Sequence, residues 1–372
     1  MGIDLNVISI ILFYAVIFAY FYIKRKNIVR QMGVIFLYKT QKFTGIMRSI
    51  ANLSPKFWRW FGYASIPIGF VGMTLIFGYL GFALWKILIT PASAPALSLV
   101  IPGVRIPGSI YVPFWYGIIA LFTVIAVHEG AHGVVSEAWK LKLQSSGVGL
   151  FAVLPLAFVE PPEKKLVKQP ARVQLGIFSA GVTANIIFAL IALAITTFFL
   201  APLASGVLVT GTTAGLPSEQ AGIQSGEIIV GANGIAVKTT NDFAKVMLNT
   251  KVGDVVTVKT NVNEYKIKTV SNPQSAGKSY IGIQFRQNMP GWAWHLSNIF
   301  FWIFNLNLGI GIINLLPLGP IDGGRMLQVA LRRFIAEKKA LKIFSTVSMI
   351  SLFLLLANII TPYLIKAASL FQ

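Results

Sequence analysis

Six apolar runs separated by clusters of lysine and arginine restrict this 372-residue chain to one broad architecture. Inside a bilayer every backbone N–H and C=O needs a partner within the protein, so a run of about 20 apolar residues crosses as a helix. Runs of that kind occupy residues 6–23, 61–90, 111–140, 173–200, 296–318 and 343–365. Composition agrees: 55% of residues are hydrophobic and 12% charged, with a mean hydropathy of +0.71, which is a membrane protein's balance. The formal net charge of +20 does not indicate nucleic acid, because no basic patch is interleaved with stacking aromatics. The basic residues gather instead at Lys24–Lys56, Lys140–Lys142, Lys164–Arg172 and Arg325–Lys339. If the runs alternate direction, all four clusters fall on one face, as the positive-inside bias requires. The absence of cysteine excludes disulfides and thiolate metal sites. Asp4 and the lack of a basic stretch before the first run are unlike a cleaved signal peptide.

The expected fold is a polytopic α-helical membrane protein of about six transmembrane helices, carrying an inserted, small, mostly-β domain and a membrane re-entrant β-hairpin. Residues 1–60 form the first helix and a basic cytoplasmic segment, read partly as an amphipathic helix on anionic headgroups. Residues 61–110 hold the second helix and an external loop, and residues 111–203 the membrane core. The stretch 147–159 is apolar but too short to cross, and Gly147, Gly149 and Pro155 interrupt it. Irregular backbone at that depth survives only where protein or a cavity surrounds it, hence the re-entrant hairpin. At 204–288 charges of both signs appear beside β-branched runs such as Val255-Val-Thr-Val-Lys-Thr260. That segment is large enough to fold alone, and the topology puts it outside. Residues 289–340 and 341–372 carry the last two helices.

Polar groups at bilayer depth are rare and usually functional. The third run contains His128-Glu-Gly-Ala-His132. Two histidines four apart share a helix face and suit one zinc ion, and the Glu between them is placed to act as a general base on water. Catalytic zinc usually takes three protein ligands. The third histidine of the chain, His295, falls at the external end of the fifth run, away from the cytoplasmic half of the third. Asp322 falls at the matching depth, and Pro317, Gly319, Gly323 and Gly324 allow the backbone to turn it inward. Asn185, inside the fourth run, is of the kind that hydrogen-bonds a neighbouring helix.

His128-Glu-Gly-Ala-His132, followed by Asn314-Leu-Leu-Pro317 and Asp322-Gly323, resembles the site-2 protease family, the intramembrane zinc metalloproteases that cut transmembrane segments. Gly181 and Asn185 resemble that family's Gly-x-x-x-Asn element, and 147–159 its membrane-embedded hairpin. Ile321 stands where a Leu commonly precedes the Asp. The resemblance implies that His128, His132 and Asp322 hold zinc and that Glu129 is the base. It gives Asn314 a contact with the substrate backbone and Asn185 a part in stabilising the oxyanion. Gly206-Val-Leu-Val, Leu216-Pro-Ser-Glu-Gln-Ala-Gly-Ile223, Ser225-Gly-Glu227 and Gly231-Ala-Asn-Gly-Ile235 resemble a bacterial-type PDZ domain, although Ser225-Gly-Glu replaces the commoner Pro-Gly-Asp. Such a groove takes an extended peptide by strand addition. The expected partners are therefore transmembrane protein substrates, a peptide at that groove and the lipid bilayer, with no nucleic acid. The expected location is a prokaryotic plasma membrane, with the active site towards the cytoplasm. A transporter would need inverted repeats, which are not evident. A non-catalytic PDZ-like binding protein would have no need of Glu129.

Overall fold

The first apolar run folds as helix α1 (Leu5–Ile23). A computed structural model describes residues 5–31, 35–90, 97, 100–106, 109–151, 154–273 and 275–368. The chain forms two compact units, Met1–Ala192 with Phe301–Gln372, and Leu193–Phe300. Among the described residues five helices are long and apolar enough to cross a membrane, within Pro55–Ile89, Phe114–Ala138, Ala171–Leu203, Gly291–Ile313 and Glu337–Ile365. The apolar part of α1, Val7–Ile23, is shorter than these. It packs on the third run through aromatic edges, Phe13 lying 5.4 Å from Phe114 and 5.6 Å from Trp115.

The basic segment after α1 departs most from expectation. Only part of it is helical: strands β1 (Ile28–Gln31) and β2 (Ile35–Thr40) precede helix α2 (Lys42–Leu53). Helix α3 (Pro55–Ile89) begins six residues before the predicted span, with Pro55 in its first turn, where a missing N–H costs nothing. Much of the predicted external loop, residues 91–96, 98, 99, 107 and 108, lies outside the described residues. Helix α4 (Phe114–Ala138) carries the histidines. The stretch expected to re-enter the membrane forms a β-hairpin, β3 (Ser145–Phe151) and β4 (Leu154–Glu160). Gly147 and Gly149 do not interrupt it; they pair with Lys39 and Leu37 inside an antiparallel sheet of order β1-β2-β3-β4. Lys39 reaches across to Glu160 at 2.8 Å, and that ammonium, with the Ser145 hydroxyl, holds the Glu160 carboxyl below its ordinary value. A short turn, α5 (Glu163–Leu166), leads to α6 (Ala171–Ile195), which ends in a π-type turn over Thr196–Leu200.

The second unit is built around a sheet of order β12-β5-β6-β8-β9, comprising β5 (Val207–Thr212), β6 (Ile228–Ala232), β8 (Val255–Thr260), β9 (Glu264–Lys268) and β12 (Ile283–Gln287). β7 (Ile235–Ala236) pairs with β6, and β10 (Val270–Asn272) pairs with β11 (Ser275–Tyr280). Helices α7 (Pro217–Gln220) and α8 (Thr240–Leu248) complete it. Val207, Ile229, Val256, Val258, Ile267 and Phe243 form its own apolar core. Its ends meet, since Ser205 N–H donates to Asn288 O and Asn288 N–H to Gly206 O, both at 3.0 Å.

The chain returns through α9 (Gly291–Ile313), turns, and continues as α10 (Asp322–Phe334) and α11 (Glu337–Ala368). Pro317 ends the apolar run, and its own carbonyl, outside any helix, accepts from Ser348 Oγ of α11 at 3.1 Å, which is the partnering that broken backbone within a bundle needs. Met73, Ile76 and Leu80 of α3, Val135 of α4, Ile177 and Val182 of α6, and Leu315, Leu316 and Met326 share one core.

Buried Glu227 offers a test of the second unit. Burial pushes its carboxyl up, but Thr260, the Gln224 N–H and Tyr265 donate to it and hold it below the ordinary 4.5. Its stabilisation is therefore complete above that ordinary value and lost as pH falls through the lower folded one. Thr260→Val should cost about 1.5–3 kcal/mol at neutral pH and less below pH about 4, as read from unfolding of residues 204–288 followed over that range.

Candidate metal centre

Helical spacing alone brings two ligands together: His128 and His132, one turn apart on α4, have ring centroids 4.7 Å apart and Nε2 atoms 3.1 Å apart. The third arrives from a different part of the chain. Asp322 is the first residue of α10, and its Oδ2 lies 3.0 Å from His128 Nε2 and 3.2 Å from His132 Nε2. The turn that delivers it is fastened by Gly323 N–H donating to Asn314 O at 2.8 Å. These close approaches are not aligned hydrogen bonds, for Oδ2 is buried with no hydrogen-bond partner. Arg325, the obvious alternative mate for Asp322, instead lies over the Phe178 ring at 5.5 Å.

The imidazoles are oriented from behind by α6. Ile177 O lies 2.7 Å from His132 Nδ1, and a carbonyl only accepts, so Nδ1 carries the proton and Nε2 keeps its lone pair. The Asn185 amide lies 3.2 Å from His128 Nδ1. Asn185 Oδ1 otherwise has no partner; with that oxygen turned to the ring, Nδ1–H donates and His128 Nε2 is free as well. Gly181 makes room for both rings, since a Cβ there would stand 2.5 Å from His132 Nε2 and 2.9 Å from His128 Cε1. Three electron-pair donors thus converge within 4.8 Å of one another, in a space an alanine would fill. That donor set, two neutral imidazoles and a carboxylate, fits a zinc ion.

A cavity of about 370 Å³ opens on this cluster, lined by Glu129, Asn314, Phe178, Arg325 and residues Ala157 to Val159 of β4. Glu129 Oε2 accepts from Val159 N–H at 3.0 Å. Among the predicted residues His128, Glu129, His132, Asp322 and Asn314 share this cavity, whereas Asn185 is fully buried against His128 and is not among its lining residues. His295 belongs to the Leu193–Phe300 unit, outside the three-ligand group. The Ile177 carbonyl and the Phe178–Arg325 pair were invisible in the sequence, because a backbone acceptor and an exposed arginine carry no motif.

Asn185 reaches the cluster through the back of the His128 ring. Asn185→Ala should lower metal affinity by roughly 10–100-fold, and Gly181→Ala should do the same by displacing the rings. Metal content of purified protein, titrated against a competing chelator, reads both effects.

Residues 116–357 match the profile of Peptidase family M50. An uncharacterized protein of Methanocaldococcus jannaschii, MJ0971, is 29% identical over 276 residues, which is 72% of this chain and 70% of that one. The PDZ domains of the SdrC-like proteins of Listeria monocytogenes and Listeria innocua are 25% and 28% identical to part of this chain. The matches cover 22% and 23% of this chain and 87% and 97% of those, with TM-scores of 0.19 and 0.20. The chain belongs to peptidase family M50, the site-2 protease family.

Proposed function

We propose that this chain is an intramembrane zinc endopeptidase that hydrolyses peptide bonds within or near transmembrane segments of other membrane proteins. The observation that carries the reading is the convergence of His128 Nε2, His132 Nε2 and Asp322 Oδ2 beside Glu129, at the head of a cavity walled by a strand edge. Zinc, when bound, would supply a Lewis acid that polarises the scissile carbonyl and acidifies water. Glu129 would take the proton of the attacking water and deliver it to the leaving amine. Asn185 would act through His128, and Asn314, on the cavity wall, would meet the substrate backbone.

A helical substrate hides its peptide bonds and must unwind, which frees backbone groups that need partners in an apolar setting. β4 is the outer strand of its sheet. Val159 N–H points away from β3, since it reaches Glu129, so by alternation Ala157 faces the free edge too. Both amides are placed to receive an unwound segment as an added strand.

The proposed topology has six spans, α1 included, with the metal centre towards the cytoplasm and the hairpin at membrane depth. The basic clusters support it, and a prokaryotic plasma membrane is the location we favour. The PDZ-like domain would then lie outside. There, β12 is a sheet edge facing α8 across a groove of about 300 Å³ lined by Phe243, Met247 and Phe285, which suits an extended peptide. In this reading the domain screens substrates and admits those already trimmed outside.

With a model transmembrane substrate in detergent, Glu129→Gln should cut about 10²–10⁴-fold more slowly while keeping its zinc, and Asp322→Asn should lose zinc. A wild-type protein that binds no zinc would refute the assignment. Deleting residues 206–287 should let untrimmed substrates be cut; unchanged selectivity would leave the domain no screening role.

A further inference from the structure

A second cavity, of about 440 Å³, shares Ile125, Glu129 and Ala157 to Val159 with the first and extends away from the His–Asp cluster. Its far wall is α2: Phe43, Ile46, Met47 and Ile50, with Trp58 and Val134 beside them. Its size lies within the range of about 300–1,000 Å³ usual for ligand pockets. Among the described lining residues only Glu129 and Ser146 bring side-chain carboxylate and hydroxyl oxygens to it, and both are engaged, Glu129 with Val159 N–H and Ser146 with Thr40 O. A guest would find shape and apolar surface there. Phe43 and Ile46 remain 47% and 57% exposed, so that surface is uncovered.

The wall is fixed in place. Met47 packs where a Cβ on Gly133 of α4 would stand. Arg48 pairs with buried Glu137 at 3.2 Å, and Glu137 also accepts from Leu143 N–H at 3.0 Å. At the α2–α3 corner Trp58 Nε1 donates to Ile50 O at 3.0 Å, and Arg59 Nε donates to Ala138 O at 2.8 Å. A strand paired on β4 puts successive side chains on opposite faces. When one residue turns towards the metal cluster, its neighbour turns away from it.

We infer that this cavity is the specificity pocket of the protease: it takes a large apolar side chain, leucine or phenylalanine, adjoining the bond that is cut, and α2 decides its size. The inference rests on the protease reading above. Continuity through Glu129 and β4 designates a substrate side chain, and not a lipid tail, as the occupant.

The test uses the full-length protein in detergent and a model transmembrane substrate whose cut bond is mapped by mass spectrometry, with each flanking residue changed to Ala, Leu or Phe. Wild type should prefer Leu or Phe over Ala on one side by at least about 10-fold in kcat/KM, the worth of such a pocket. Ile46→Trp should move the preference towards Ala and Ile46→Ala towards Phe, with zinc content unchanged in both. In a Glu129→Gln background, a photoreactive residue at position 46 should crosslink to that flanking residue. Cleavage indifferent to the flanking residues and to both Ile46 variants would overturn the pocket while leaving the protease standing. A phospholipid seen by native mass spectrometry on wild type and lost from Ile46→Trp, with selectivity unchanged, would overturn it in favour of a lipid groove. Absence of both zinc and cleavage in every form would remove the protease reading, and the pocket with it.

Discussion

Two imidazole nitrogens and a carboxylate oxygen lie within 3.0–3.2 Å of one another inside an apolar bundle. That donor set suits a cation held between them. Holding a carboxylate and two imidazoles together out of water carries a desolvation cost. The surrounding architecture holds them there. α4 fixes two donors at one helical turn, α6 pins both rings from behind with a carbonyl and an amide, and the fastened turn before α10 delivers the third. The core shared by α3, α4, α6 and the 315–326 region keeps those three sources in register.

Much of this was legible because its signals are local. His128 and His132 at helical spacing, and Asp322 among glycines after Pro317, announce themselves in the sequence. Helix ends drifted by a few residues, because Pro55 and Glu337 lie in basic stretches that hydropathy treats as outside. The role of Asn185 was harder to read. An amide within a span signals some hydrogen bond, but only the fold shows that its partner is the back of the His128 ring.

The four-stranded sheet was the larger omission, and its cause is physical. Its second pair of strands is over 100 residues away from the first, and Ile35-Phe-Leu-Tyr-Lys-Thr40 sits in a cationic segment whose obvious meaning was membrane adhesion. Sequence periodicity reports one strand's faces and never its neighbour. Likewise Gly147 and Gly149, which punctuate a chain read linearly, are positions where β2 lies close alongside β3.

The position of Glu129 ties the edge of β4 to the neighbourhood of the His–Asp cluster. Its carboxylate occupies the one N–H of Val159 that an incoming strand would also seek. A single amide hydrogen cannot serve two acceptors at full strength, so a strand bound along the β4 edge and the Glu129 carboxylate compete for it. Whatever hydrogen-bonds along that edge must take this N–H from the Glu129 carboxylate.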